Sequence, residues 1–539
     1  MPRNLLIAAI TGALTCATPS SATAQAVDRA HTIVIVVGAL ASQPIPTLVH
    51  DRWNQDAADL LFLRLARLGP TMMTAGDKGF EPQLAKSWSR RDSLTLIFNL
   101  DPRARWHDGQ PVTAKDVVFT FGLFRDPKID PQHALLLRSV ASVNAEGEHR
   151  VIIRFTHYYP EQLYDATYQV QPLPAHLVDT IPPNLLGSSD FARHPIGNGP
   201  FVWDSLAPAE KLTLDASPNY FLGAPAIQRV IFLKASDPDV QVNMLLSGTA
   251  DAIENVAPVS NIPRFASMPN LRIVQVPSFT IGYLLFNQRD RKDRSKPHPI
   301  LSDSLVRRAL LLGLDRPAML RSALGAMGAV PYGPVPLISW IRDPDSPPAR
   351  YDTTQARALL ASRGWTDHDG DSVVDRDGKP LELELNVPTT SAVRMQLALE
   401  TQQFLSHIGV RIILRTSDGP TWNSRRNQHD FDIDASSSGL DPSPSGLMQS
   451  WSCLGLDGIN VGAACDPRVD SLMERAIAAK GNPRPLWFAA IRRIEEDAPA
   501  AFMYSLTNAF VVHRRFEHVN IRPDGWWAAL GEWTVNEKR

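Results

Sequence analysis

Asp367, Asp369, Asp371, Asp375 and Asp377 form the densest run of metal-ligand residue types in the chain. Aspartates at alternate positions around a glycine open a calcium loop, which needs ligands at positions 1, 3, 5, 7 and 9 and a bidentate glutamate at position 12. Counted from Asp367, position 12 is Gly378, so the strongest ligand is missing. A plain acidic loop is expected, with no metal and no cofactor. His107-Asp108 has the types for proton transfer, but Asp108-Gly109 is a hairpin-turn dipeptide and the turn is the preferred reading. There is no G-x-S-x-G, H-E-x-x-H, P-loop or dinucleotide fingerprint, and no catalytic residue is assigned.

The 539 residues exceed what one core accommodates, so two or three domains are expected. Apolar content of 44% and charged content of 20% are those of a soluble globular protein. A net charge of −2 gives no electrostatic reason to bind nucleic acid or anionic membrane. Residues 1–26 read as a signal peptide. Arg3 supplies a weak basic start, and Leu5 to Ala17 is an apolar stretch too short to span a bilayer. Cleavage is expected near Ala24 or Ala26, each in a small-x-small site. Thr15 is a poor lipobox residue before Cys16. Removing this segment leaves Cys453 and Cys465, an even count that argues for a disulfide in an exported protein. A metal or redox pair would want C-x-x-C spacing or a nearby histidine.

The elements that must position these residues follow from periodicity and turn chemistry. His31 to Val37 is a buried-strand run, and Trp53 to Leu68 reads as a leucine-rich helix. Leu94, Leu96, Phe98 and Leu100 alternate as one strand face. Thr113 with Asp116 makes a capping box. Gly197-Asn198-Gly199-Pro200 is a turn of residues that tolerate positive φ, followed by a hairpin of Phe201 to Trp203 with Lys211 to Asp215. Helices are expected from Asp237, Asp352, Ser391 and Asp466, and strands over 281–287, 410–414 and 500–512.

Several of these stretches resemble one family. His194 to Gly223 is similar to the P-x-G-T-G-P-[YF] turn, hairpin and N-x-x-Y-[FW] segment of the family 5 extracellular solute-binding proteins, with Asn198 where that family usually has threonine. Residues 82–121 resemble its L-A-x-S-W … H-D-G-x-P-[FV]-T-A-x-D-V stretch. Tyr283 to Asn287 and Val306 to Arg316 match two further motifs, in order. The resemblance implies an α/β, two-lobed periplasmic-binding-protein (Venus-flytrap) fold of the large type, with an extra subdomain in the first lobe. The expected layout is 27–55, 171–276 and 500–539 in lobe I, 56–170 in the subdomain and 277–499 in lobe II. It implies the periplasmic binding component of an ABC importer: a monomer that captures a small solute or peptide and delivers it to membrane permease subunits, with no nucleic acid involved. Oligopeptide is the favoured ligand. A non-peptide solute (oligosaccharide, opine, metal chelate or other amphiphile) is the alternative within the fold, and an exported hydrolase is a distant one.

The resemblance also places the ligand-contacting segment at 431–451. Peptide-binding members carry an aspartate three or four residues before the proline, for the peptide ammonium; here those positions are Ser438 and Gly439. Members that bind dipeptides use an arginine after the strand near Pro388, for which the nearest candidate is Arg394. A buried zwitterion without charged partners is costly, so the dipeptide clamp reads as lost. Ser436, Ser437 and Ser438 offer neutral hydrogen bonds, Asp441 can replace the missing anion, and Trp340 and Trp451 are candidate stacking residues.

Overall fold

The computed structural model describes residues 29–536 except 50, 130, 208–209 and 457. The expected signal peptide, residues 1–26, and Cys16 within it lie outside the described residues.

One eleven-stranded mixed sheet runs through the molecule. At one end Thr32–Val37, every residue buried, pairs in parallel with Arg229–Lys234 and Ala252–Ile253. The hairpin Phe201–Ala207 and Lys211–Ala216 completes that edge. At the other end Ile433–Gly439 lies beside Glu382–Pro388, which pairs with Arg411–Ser417. Two long antiparallel strands, Leu271–Phe286 and Ala500–His513, join the halves. Their register breaks between Pro277 and Ile281. Pro277 has no N–H to give to the ladder. Ser278 fills in, its hydroxyl donating to the Leu506 carbonyl (3.0 Å) and accepting from Thr280 N (3.1 Å).

The cores change hands at the same place. Val276 and Phe279 pack into the cluster around Thr32–Val37, whereas Ile281 and Tyr283 pack with Trp340, Trp451 and Phe502. Two lobes with separate cores therefore meet at this crossing. A four-stranded antiparallel sheet, Ala85–Asp92, Thr95–Leu100, Arg150–Phe155 and Val140–Ala145, is attached to the first lobe and shares its core. The helix Ala114–Phe124 packs against it, with the Thr113–Asp116 capping box formed.

Two expectations need correction. The helix expected over 53–68 spans Arg52–Leu61, and Ala66–Leu68 is a strand. What stops it is tertiary. Asn198 N and Gly199 N both donate to the Leu61 carbonyl (2.9 and 2.8 Å), and Asn198 Oδ1 accepts from Leu63 N (2.8 Å). Nor do Gly197 and Gly199 serve a left-handed turn, since neither has a positive φ. They are glycines because backbone comes too close: a Cβ on Gly197 would lie 1.9 Å from the Leu61 carbonyl oxygen, and one on Gly199 2.3 Å from that of Leu60.

Cys453 and Cys465 form a disulfide with a sequence separation of 12. Replacing both with serine should lower the unfolding free energy by about 3 kcal/mol, the chain-entropy value for a loop of this size. Urea midpoints with and without the bond check this; equal midpoints would contradict it.

Candidate ligand-binding cleft

Where the lobes meet they line a cavity of 320 Å³ that opens to solvent. The first lobe contributes Arg52, Tyr168 and Trp526, the crossing strands contribute Ser278 to Thr280 and Asn508, and the second lobe contributes Gly439 to Pro442. Most charges in the lining are satisfied by the protein itself. Arg64 pairs with Asp59 (2.6 Å) and Asp524 with Arg522 (2.8 Å). Asp441 is different, because its carboxylate makes no hydrogen bond to any described residue. It reaches solvent, yet the surrounding protein mass pushes its carboxyl above the usual range, with His133 opposing. Arg52 sits over Trp526, its guanidinium carbon 3.6 Å from the ring centre, and bonds Asp56 through Nε (3.0 Å).

Behind Arg52 sits a buried acid. Glu254 Oε1 accepts from Trp53 Nε1 (3.1 Å) and Gly38 N (3.3 Å), while Oε2 has no partner. Burial, with Asp56 nearby, pushes Glu254 up from 4.5 to about 7, and burial takes Asp56 to about 6. The folded state thus holds the Glu254 proton where the unfolded chain has lost it. The contribution of Glu254 to stability should fall as pH rises from about 4.5 to 7, by roughly 3 kcal/mol at most. Glu254→Gln should flatten that dependence and melt above the wild type at pH 8. Melting curves at pH 5 and pH 8 decide it, and an unchanged difference between the two proteins would contradict it.

The candidate residues divide by location. Ser437, Ser438, Asp441 and Trp451 gather around the end of the strand Ile433–Gly439. The Ser438 hydroxyl is 2.9 Å from that of Tyr283, and Trp451 meets Tyr283 and Phe502 edge-on. Ser436 is buried and donates to the Asp434 carboxylate. Arg394 donates to the Ala435 carbonyl (3.3 Å) and stacks on Trp422. Trp340 is buried, and its Nε1 donates to Thr74 Oγ1 (2.9 Å) on the first lobe.

That last bond belongs to a clasp that sequence reasoning missed. The buried carboxylate of Glu161 accepts from Thr74 of its own lobe, and from Ser443 (2.8 Å) and Ser445 (2.5 Å) of the other. Burial pushes the Glu161 carboxyl up, and the three hydroxyls pull it back. Met73 and Ala75 pack on the core of the second lobe, and Leu440 packs on both cores, so the lobes are closed on each other. Nothing in the spacing of Thr74, Glu161 and Ser443 signals this meeting.

Two other candidate groups lie away from the cleft lining. His107 accepts from Gly197 N at Nδ1 (3.1 Å) and donates from Nε2 to the Gly199 carbonyl (3.1 Å); burial pulls its pKa down to about 4, which keeps the ring neutral. Asp367, Asp369 and Asp371 are exposed, and Asp367 accepts from Gly370 N (2.7 Å) in its own turn.

The fold has known counterparts. The sequence model of the bacterial extracellular solute-binding proteins, family 5, middle region, matches residues 79–456. The chain belongs to this family. This family 5 protein is 24% identical to the oligopeptide-binding protein AppA of Bacillus subtilis over 512 residues, 92% of this chain and 91% of that one. The structure of AppA with a nonapeptide matches at a TM-score of 0.75 and 22% identity, covering 94% of this chain and 99% of that one. A Brucella ovis protein named as a putative ABC transporter peptide-binding protein is 31% identical over 347 residues, 63% of this chain and 61% of that one. NikZ of Campylobacter jejuni, solved with Ni(L-His), matches at a TM-score of 0.76 and 24% identity, covering 94% and 99%. These structures share the two-lobed architecture. No helix among the described residues is long and apolar enough to cross a membrane.

Proposed function

We propose that this protein is the exported, periplasmic substrate-binding component of an ABC importer, which holds a peptide in the cleft between its lobes and presents it to a membrane permease. It acts by binding and carries out no catalysis. The observation that carries this is Asp441, a solvent-reaching carboxylate of the second lobe that lines the interlobe cavity and makes no hydrogen bond to any described residue. A peptide ammonium supplies the missing partner. The peptide-binding relatives support the ligand class.

The register break at Pro277 to Ile281, opposite Ser505 to Thr507, supports a hinge there. A ligand favours closure only by binding the closed form better than the open one, and Asp441 meets the first lobe only when the cleft is shut. Ser438→Ala combined with Asp441→Ala should weaken peptide binding at least roughly tenfold, the scale of one lost charge-assisted bond, without lowering the melting temperature. Calorimetric titration tests this, and unchanged affinity would remove both residues from the site.

A further inference from the structure

One buried carboxylate holds two residues of the cleft wall without lining the cleft itself. Arg52 and Trp526 both line the interlobe cavity, and Asp56 does not. Asp56 Oδ2 accepts from Arg52 Nε (3.0 Å), and Oδ1 accepts from Trp526 N (3.1 Å). The Arg52 guanidinium stands over the Trp526 ring. Phe510, from the crossing strand Ala500–His513, meets that ring edge-on with 5.0 Å between centres. Guanidinium and indole therefore form one plate, a cation over a π-face, and a single carboxyl group bonds both halves.

The plate has few other ties. Arg52 bonds to described residues through Nε alone, and its Nη2 is buried without a partner. Its side chain is 33% exposed, whereas that of Asp56 is 4% exposed. The two stand one turn apart on the helix Arg52–Leu61, so the helix fixes their spacing. Trp526 arrives from far along the chain, and its backbone N–H reaches the same carboxyl group.

The charges around Asp56 are also few. Its own helix brings Arg52 and Asp59, and Asp59 pairs with Arg64. The segment after Ala252–Ile253 brings Glu254, which lines a cavity of 10 Å³ together with Asp56. The other residues of that lining, among them Val37, Leu212, Phe232 and Trp527, carry no charge. Arg52 is the one cation among the groups that act on Asp56.

We propose that Asp56 is a positioning residue of the binding cleft: ionised, it holds the Arg52–Trp526 plate in place for the ligand, and neutral, it releases the guanidinium. The inference rests on the peptide reading of the cleft. A neutral carboxyl group still accepts from Trp526 N but loses the charge-assisted bond to Arg52, and such bonds are roughly twice as strong as neutral ones. Burial raises Asp56 to about 6, with Arg52 opposing, so the plate is held above that pH and released below it. Glu254, raised to about 7, takes up its proton first, and Asp56 is still ionised when it does.

Calorimetric titration with trialanine at pH 8 and pH 5, on the wild type and Asp56→Asn, tests this. Asparagine keeps an acceptor for Trp526 N and removes the charge. At pH 8 the variant should bind roughly tenfold more weakly, the scale of one charge-assisted bond. At pH 5 the two Kd values should converge to within about twofold, because neither protein then carries the charge. Titration of Asp441 or of the peptide is common to both proteins and cancels in the ratio. A ratio that is the same at both pH values marks a purely structural role and overturns the proposal. NMR of the Arg52 Nε–H in the unliganded wild type, assigned with Arg52→Lys, needs neither a ligand nor a folded Asp56 variant. That proton should exchange slowly at pH 8 and lose its protection as pH falls through about 6. Protection unchanged down to pH 5 overturns the proposal. Failure of trialanine to bind counts against the peptide reading, and the NMR titration still decides the role of Asp56.

Discussion

Replacing Glu161 with alanine should raise the Kd for the cleft ligand roughly 10- to 100-fold while leaving each lobe folded. The carboxylate takes hydroxyls from Ser443 and Ser445 across the cleft, and its Thr74 partner takes the Trp340 indole from the same direction. Hydrogen bonds to a charged group are worth about 1.5–3 kcal/mol each when the alternative is an unsatisfied buried partner. In an open form all these groups face water, so only the difference between open and closed is lost, on the order of 1.4–2.8 kcal/mol for the range given. The contacts exist only when the lobes meet, so their removal penalises closing and not the folding of either lobe. Ser443→Ala with Ser445→Ala should act in the same direction, since it strands the buried carboxylate. Calorimetry gives the affinity, and small-angle scattering should show a larger unliganded particle for Glu161→Ala. Wild-type affinity and dimensions would mean that the clasp does not bias closure.

A second substitution should be costlier. Gly197→Ala is expected to lose more than about 3 kcal/mol of stability, beyond the usual range for overpacking. The added methyl would stand 1.9 Å from the Leu61 carbonyl oxygen and 2.7 Å from its carbon. Both are backbone atoms, so no side-chain rotation relieves the clash. The movement required would also break the Asn198 and Gly199 bonds to the same carbonyl, where the first helix ends. Gly122→Ala is the control. It lies in the helix Ala114–Phe124 with nothing within 4 Å of the new Cβ, and should gain about 0.5–1 kcal/mol from helix propensity. Urea midpoints of the two variants should shift in opposite directions. A Gly197→Ala midpoint within experimental error of wild type would refute the packing argument.

These cases mark what the sequence made legible. Local chemistry was readable: the capping box at Thr113 and Asp116, the turn at Gly109, the all-buried strand Thr32–Val37 and the disulfide each depend on neighbours within a dozen or so residues. The end of the first helix was not, because Leu61 is stopped by Asn198 and Gly199 from far along the chain. The glycines of that turn were recognised, but for conformational freedom when the reason is lack of room. Ser437, Ser438 and Asp441 could be grouped because they are consecutive or nearly so at one strand end. Arg52 on Trp526, Glu161 among three serine and threonine hydroxyls, and Trp422 beside Arg426 near that strand end are meetings made by the fold, and no spacing rule announces them. Trp340, expected as a candidate stacking residue, also bridges the lobes through its N–H, a contact that no spacing rule announces.

The central claim is that the closed cleft is a solute site with a preference for peptides. A thermal-shift screen of the protein tests it most directly, with di- to pentapeptides set against sugars, metal chelates and amines, and with Asp441→Asn run beside the wild type. Binding to the native state should stabilise it by about 2.7 kcal/mol at a hundredfold excess over Kd. The prediction is a rise in midpoint with at least one peptide, lost or strongly reduced in Asp441→Asn. A midpoint that no peptide moves, or one that moves equally in both proteins, would contradict the account.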